Sequence, residues 1–175
     1  MTKNKLKEKL NPSLHYLVDW SYSDVYKEIS KNVYKAMINN FTTEKIDICC
    51  SWFCGTDYDL FNKMGFDCHY YDMDKVVCDA NKNLTQNVYN VDIIFDNVRL
   101  RDAVIVNKYC ENTFPIGRVF KGNFILVGSD NPHLSNVNKI TSTEMLIEQN
   151  RLTTIYEQTT FFNKHNFYLV AGCNI

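Results

Sequence analysis

The densest group of chemically capable side chains is the stretch Asn107-Lys-Tyr-Cys110-Glu111-Asn112, which directly follows an apolar run. Buried polar groups need hydrogen-bond partners, so such a cluster requires either a network of its own or a ligand. We take Asn107, Cys110 and Glu111 as the candidate catalytic residues. Glu111 could act as a base or orient an amine, and Cys110 could act as a nucleophile, although no obvious base accompanies it.

A second candidate group follows the apolar run that ends near Cys49. The sequence Cys50-Ser51-Trp-Phe-Cys-Gly55 leads directly into a helical pattern, and the N–H groups of such a turn can face a carboxylate or phosphate. Cys50, Ser51 and Gly55 are therefore candidate ligand-binding residues, with a plain turn as the alternative. Cys and Ser are small enough to replace glycine sterically, but not where φ must be positive.

Polar residues also end the next two apolar runs. Asp72 lies roughly twenty residues beyond the first loop, where a carboxylate can accept hydrogen bonds from both hydroxyls of a ribose. Asp74 can instead cap the helix that begins near residue 75. Asp96 and Asn97 could hydrogen-bond an adenine amino group or form an ordinary turn. His133, in a loop rich in turn residues, could serve as an acid or base or simply be solvated.

The elements that must position these residues alternate along the chain after residue 43. The apolar runs predict strands at Ile46–Cys50, Cys68–Tyr71, Val91–Phe95, Ala103–Val106 and Phe124–Val127, and helices are predicted at Thr56–Met64 and Lys75–Leu84. Such alternation predicts a parallel sheet with helices on its faces. Strands that are apolar almost throughout are typical of a sheet covered on both sides.

The last part of the chain predicts a different connection. Two strand-like runs, Leu152–Tyr156 and Phe167–Ala171, are separated by ten residues with a turn-like centre. Ten residues cannot easily hold a crossover helix, so an antiparallel hairpin is expected. The pattern as a whole predicts an α/β fold with a mostly parallel sheet of about seven strands that ends in this hairpin.

Length and composition bound the remaining possibilities. The 175 residues suit one domain. We expect a flexible, basic arm over residues 1–12 and a single domain over residues 13–175 that begins with helices. A net charge of −1 gives no sequence-wide basic footprint and argues against nucleic acid as a partner. No apolar run is long enough for a membrane span and no signal-peptide core is present, which predicts a cytoplasmic protein.

Seven cysteines form no pattern that completes a zinc site or a disulfide framework. Buried, reduced thiols are the expected state, and no metal is predicted.

Together these features resemble the class I S-adenosylmethionine (SAM)-dependent methyltransferases over residues 44–175. The likeness is greatest to small phage-type members with an Asn-x-x-Cys-Glu-His stretch after strand four, which stands here as Asn107 to Asn112. The resemblance implies a Rossmann-like three-layer sandwich and SAM as the cofactor. It places the methionyl end over the first loop, the ribose on Asp72 and the adenine near Asp96 or Asn97. The chain departs from the family in its single loop glycine, Gly55, and in Asn112, which replaces the final His.

The function that this resemblance implies is methyl transfer to a small molecule or a protein side chain. The sequence has no Asn-Pro-Pro-Tyr motif and no room for a target-recognition domain, which argues against DNA as the acceptor. Two alternatives stay open: an enzyme that cleaves SAM, and a decayed methyltransferase fold that serves as a binding module. An exposed aromatic patch could support a homodimer, since aromatic residues make up 14% of the chain.

Overall fold

The fold is built on a seven-stranded sheet, described by a computed structural model for residues 2–131 and 137–174. The strands are β1 (Lys45–Cys49), β2 (Asp67–Asp72), β3 (Val88–Asn90), β4 (Val104–Asn107), β5 (Gly122–Ser129), β6 (Thr153–Phe162) and β7 (His165–Asn174). Their order is β3-β2-β1-β4-β5-β7-β6. The first five strands pair in parallel, whereas β7 runs antiparallel to both β5 and β6. The predicted mixed sheet with a terminal hairpin is confirmed.

Helices cover both faces of this sheet. The helices of the described residues are α1 (Lys3–Lys9), α2 (His15–Ser21), α3 (Asp24–Asn40), α4 (Gly55–Leu60), α5 (Lys75–Asn81) and α6 (Thr143–Asn150). Val33 and Met37 of α3 share one core cluster with Ile48 of β1. Leu146 of α6 packs on the other face with Phe124. These two cores give the three-layer arrangement that the sequence predicts, and all four residues of β4 between them are buried.

The helices begin where local chemistry favours it. The Ser23 side chain accepts a hydrogen bond from the Tyr26 N–H and caps α3, and Ser142 caps α6 in the same way. The longest helix, α3, has 17 residues. Among residues 2–131 and 137–174, no helix combines the length and apolar character needed to cross a membrane.

The third strand lies earlier in the chain than the sequence predicts. The expected strand at Val91–Phe95 is wrong: β3 spans Val88–Asn90, and a turn follows it. The Asp92 side chain accepts hydrogen bonds from the N–H groups of Ile94 and Phe95. This local capping outweighs the β-branched composition of the run, because an Asp side chain stabilises a turn directly.

The N-terminal residues also differ from the flexible arm expected at residues 1–12. They contain α1, in which Leu6 is fully buried against Leu17 and Phe53. Lys3 and Lys7 each form an ion pair with Asp19 of α2. Leu6 and Leu10 supply an apolar stripe at helical spacing, which the surrounding lysines obscure in the sequence.

Candidate functional site

The candidate residues after β1, β2 and β4 meet at one edge of the sheet. Cys49 of β1 lies between Tyr71 of β2 and Asn107 of β4 in the strand register. The strand order reverses between β1 and β4. In open parallel sheets, ligands bind outside the carboxyl ends of the strands at this reversal. The loops after β1 and β4 therefore form the rim of the candidate site.

The loop after β1 has the backbone shape of a glycine-rich turn without the glycines. Cys50 and Trp52 adopt φ values of 51° and 48°, in the left-handed region. The expectation that Cys cannot replace glycine where φ is positive is therefore wrong for Cys50. Each of the two positive φ values costs about 1–2 kcal/mol of backbone free energy, so the surrounding contacts must hold the loop in place.

Asn81, at the end of α5, supplies those contacts. Its side-chain Nδ2 donates to the Trp52 carbonyl over 2.7 Å, and its Oδ1 accepts from the Cys54 N–H at 2.9 Å. The Ser51 N–H donates to the Tyr71 carbonyl at 3.0 Å, which joins the loop to the end of β2. Asn81 is fully buried. The sequence offers no signal for this role, since an Asn at a helix end is common.

Asp72 closes the loop from the second strand. Its Oδ2 accepts a hydrogen bond from the Trp52 N–H at 2.8 Å, and its Oδ1 accepts from the Asp74 N–H at 2.9 Å. Burial raises the pKa of the Asp72 carboxyl, and these backbone donors oppose that rise. Asp74 caps α5 through the N–H groups of Val76 and Val77, which confirms its predicted role. Asp72 thus faces the site, whereas Asp74 serves the helix.

The other loop candidates have different surroundings. A Cβ atom on Gly55 would lie 2.6 Å from Cε2 of Tyr22 and 2.9 Å from Oγ of Ser21. The close approach at Gly55 therefore serves helix packing rather than a ligand. Ser51 is fully buried. Cys50 is partly buried as a residue. Burial raises the pKa of its thiol to about 12, and the carboxylates of Asp72 and Asp92 add to that rise.

Asp96 and Asn97 do not join this site. Asp96 accepts a hydrogen bond from the Asp92 N–H at 2.7 Å and closes the turn after β3. Asn97 lines a cavity of about 470 Å³ together with Arg101. Arg101 bonds to Asp67, the first residue of β2, so this cavity lies toward the opposite end of the sheet. The third strand ends earlier than expected, at Asn90, and the carboxylates of Asp72 and Asp92 both raise the pKa of the Cys50 thiol.

Asn107 and Cys110 shape the loop that follows β4. The Asn107 side chain donates to Oγ1 of Thr113 at 2.8 Å and accepts from the Tyr109 N–H at 2.9 Å. The Cys110 thiol is buried and donates to the Asn107 carbonyl at 3.6 Å. Burial raises the pKa of Cys110 well above its ordinary value, so this thiol stays protonated. Both side chains are engaged within the loop itself.

Glu111 differs from its two neighbours in the loop. Its side chain is only 2% exposed, and its Oε2 atom has no hydrogen-bond partner among the described residues. Burial raises the pKa of Glu111 to about 7, although the backbone N–H groups of Glu111 and Ser129 oppose the rise. Ser129 is the last residue of β5, so this carboxyl lies between the carboxyl ends of β4 and β5.

A buried charged cluster beside this loop was not anticipated from the sequence. The Lys108 ammonium pairs with the Asp57 carboxylate, and it lies 4.0 Å from the ring centroid of Tyr26. Tyr26 and Ser30 each donate to Asp57 over 2.8 Å. Burial lowers the pKa of Lys108 and its ion pair with Asp57 opposes that change. The cluster joins α3 and α4 to the loop after β4.

The second helix covers the same loop from outside. Nε1 of Trp20 on α2 donates to Oη of Tyr109 over 3.1 Å.

His133, the other candidate acid or base in the sequence, lies outside the described residues. Within residues 2–131 and 137–174, no group of three His, Cys, Asp or Glu side chains is arranged to hold a metal ion.

Comparison with solved structures places this architecture among known folds. Magnesium protoporphyrin IX methyltransferase from Synechocystis PCC 6803, with bound SAM, is similar with a TM-score of 0.69 at 9% identity, over 99% of this chain and 97% of that chain. A 1,6-didemethyltoxoflavin-N1-methyltransferase from Burkholderia thailandensis, with S-adenosylhomocysteine (SAH), gives 0.63 at 13% identity, over 100% and 92%.

A third solved structure is geranyl diphosphate C-methyltransferase from Streptomyces coelicolor A3(2), also with SAH. It has a TM-score of 0.56 at 8% identity, over 88% of this chain and 85% of that chain. No protein-family model and no curated protein sequence matches the chain. At these identities the likeness concerns the fold: the chain has the Rossmann-like fold of the class I SAM-dependent methyltransferases.

Proposed function

We propose that this protein binds SAM at the carboxyl edge of the sheet and transfers its methyl group to an acceptor. The observation that carries the proposal is the junction between Asp72 and the left-handed loop after β1. An acid at the end of β2 and a tight turn at the end of β1 are the two features that a nucleoside cofactor needs at the strand-order reversal. The shared fold supports the same conclusion.

The chemistry of Asp72 fits a ribose. Each carboxylate oxygen accepts one backbone hydrogen bond and keeps further acceptor capacity. Two such oxygens match the two hydroxyls of a ribose. Asp92 would hold the adenine amino group, in the place first expected for Asp96 and Asn97. Cys50 and Ser51 would lie beneath the methionyl end of the cofactor.

When bound, the cofactor would supply an electrophilic methyl group on a sulfonium. The protein's own contribution is placement and the exclusion of water, because methyl transfer depends chiefly on an in-line approach of the acceptor. The hydrogen bond between Trp20 and Tyr109 brings α2 over the loop after β4. Asn107 and Cys110 would act as supports of that loop, which leaves Glu111 as the catalytic candidate with an available atom.

The proposal extends to the acceptor, the subgroup, the location and the oligomeric state of the protein. The acceptor would be a small molecule or a protein side chain, and the Asn107–Asn112 stretch would place the chain near the small phage-type members. A cytoplasmic location and a homodimer also remain proposals. SAM cleavage is the second candidate activity. Analysis of the product would separate the two, since methyl transfer yields SAH and a methylated acceptor.

Calorimetric titration with SAM and SAH tests the proposal. We expect binding at micromolar strength, about −8 kcal/mol. Asp72→Asn should weaken both ligands at least tenfold, because it removes the charge and one acceptor from the ribose site. Asp74→Asn is the matched control, since Asn caps helices as well as Asp does. A folded wild-type protein that binds neither ligand would leave only the binding-module function.

A further inference from the structure

One oxygen of the buried Glu111 carboxyl has no hydrogen-bond partner among the described residues. The majority of buried side-chain polar atoms have a hydrogen-bond partner, and leaving one unpaired costs free energy. Glu111 is almost completely removed from solvent, yet its Oε2 atom has no partner among the described residues. Two neighbouring side chains among the described residues do not supply one: the amide of Asn107 is engaged with Thr113, and the thiol of Cys110 with a carbonyl. A donor from outside the described residues is thus implied.

The location of Glu111 indicates where that donor would come from. Asp72 and the loop after β1 lie on one side of the strand-order reversal, and β4 and β5 lie on the other. Glu111 follows β4, and the Ser129 N–H at the end of β5 also faces it. If the cofactor extends from Asp72 to the loop after β1, Glu111 occupies the acceptor side of the site.

The charge of Glu111 restricts the chemistry of the acceptor. An ionised carboxylate repels other carboxylates, phosphates and thiolates, and it attracts an ammonium group. A hydroxyl could donate a hydrogen bond, but it brings no charge to offset the burial of a carboxylate. An amine supplies both an N–H donor and, when protonated, the opposite charge.

We propose that the methyl acceptor is an amine whose nitrogen is held and deprotonated by the Glu111 carboxylate. This inference rests on the proposed function. The protonated amine gives one proton to Glu111, and its freed lone pair forms the new N–C bond. The C–S bond of the cofactor breaks with its electron pair left on sulfur, which yields SAH. The proton on Glu111 then passes to solvent. A pKa raised to about 7 suits a group that accepts and releases a proton near neutrality.

An amine-bearing cofactor analogue tests this even while the acceptor is unidentified. In sinefungin, a carbon that carries an amine replaces the methylated sulfonium, so an ammonium lies where the methyl group meets the acceptor. We expect the wild-type protein to bind sinefungin about tenfold or more tightly than SAH, because a charge-assisted hydrogen bond forms. Glu111→Gln should keep the affinity for SAH and lose this preference. Glu148→Gln, on the exposed surface of α6, is the matched control and should change neither.

The outcomes separate the two proposals. If the folded wild-type protein binds neither SAH nor sinefungin, the proposed function fails and this inference fails with it. If SAH binds but sinefungin shows no preference, or if Glu111→Gln keeps the preference, the amine assignment alone is overturned. The wild-type comparison of the two ligands decides the matter even if Glu111→Gln does not fold.

Discussion

Lys108 and Asp57 form an ion pair whose side chains are only 2% and 0% exposed. The Tyr26 and Ser30 hydroxyls donate to the same carboxylate, so the charges are paired and hydrogen-bonded. Tyr26 and Ser30 lie on α3, Asp57 lies on α4, and Lys108 follows β4. The pair thus fixes the first residues of the candidate catalytic loop against two helices.

Removing one member of this ion pair should destabilise the folded protein strongly. Lys108→Met leaves the Asp57 carboxylate buried without its counter-charge, and we expect a loss of about 3–5 kcal/mol in the free energy of unfolding. Urea denaturation measures it. Adding Asp57→Leu should restore much of the loss, because no isolated charge then remains. Lys75→Met, which breaks an exposed pair with Asp79, should have little effect. Equal losses for the two lysines would contradict this account.

Stability should depend on pH through Glu111. Its pKa is about 7 in the folded protein against an ordinary value of 4.5, so the folded state holds the proton more tightly. As pH rises from 4.5 to about 7, the unfolded chain releases its proton first, and stability falls across that interval. The total is about 3 kcal/mol. Glu111→Gln should flatten this dependence and be more stable than wild type at pH 8. Parallel stability profiles for both proteins would rule the effect out.

The left-handed residues of the loop predict an unusual response to glycine. Cys50→Gly relieves a φ of 51° and should be neutral or stabilising by up to about 1 kcal/mol. Ser51→Gly, at the next position, should cost about 0.5–1 kcal/mol, because Ser51 has no positive φ to relieve. Thermal unfolding of both variants checks the difference. A larger loss for Cys50→Gly than for Ser51→Gly would show that side-chain packing outweighs backbone strain.

The space around Gly55 predicts a packing defect. Gly55→Ala places a Cβ atom against Tyr22 and Ser21 and should cost about 1–3 kcal/mol in unfolding free energy. Gly65→Asn is a useful comparison, since nothing lies within 4 Å of its Cβ position and Asn tolerates a positive φ. We expect that variant to be nearly as stable as wild type. A Gly55→Ala protein of unchanged stability would mean that Ser21 and Tyr22, at the end of α2, can move aside without loss.

Most of the fold could be predicted because buried parallel strands leave a strong signal. The runs that became β1, β2, β4 and β5 are apolar almost throughout, and the turn-like residues Asn163 and Lys164 mark the hairpin. The prediction of a strand at Val91–Phe95 was wrong because one side chain, Asp92, stabilises a turn within an otherwise strand-like run. Composition alone does not register such a local hydrogen bond.

Candidate site residues could be predicted from the sequence only where they stand directly at the end of a predicted strand. Asp72 is the last residue of β2 and lies beside the first loop, and its role in binding a ribose stays a prediction. The Asn81 bonds join residues 27 and 29 positions apart, and the pairing of Lys108 with Asp57 joins residues 51 positions apart. Two of Asn81's bonds reach the Trp52–Cys54 turn. No periodicity relates such positions, so tertiary packing alone brings them together.

The bonds from Asn81 to the loop after β1 have a consequence for the thermodynamics of recognition. Because Trp52 and Cys54 are already held by α5, a ligand would meet a rigid surface rather than a fluctuating one. Ordering a loop on association normally opposes affinity. Here that entropy has already been lost on folding, so the loop adds little to the cost of ligand capture.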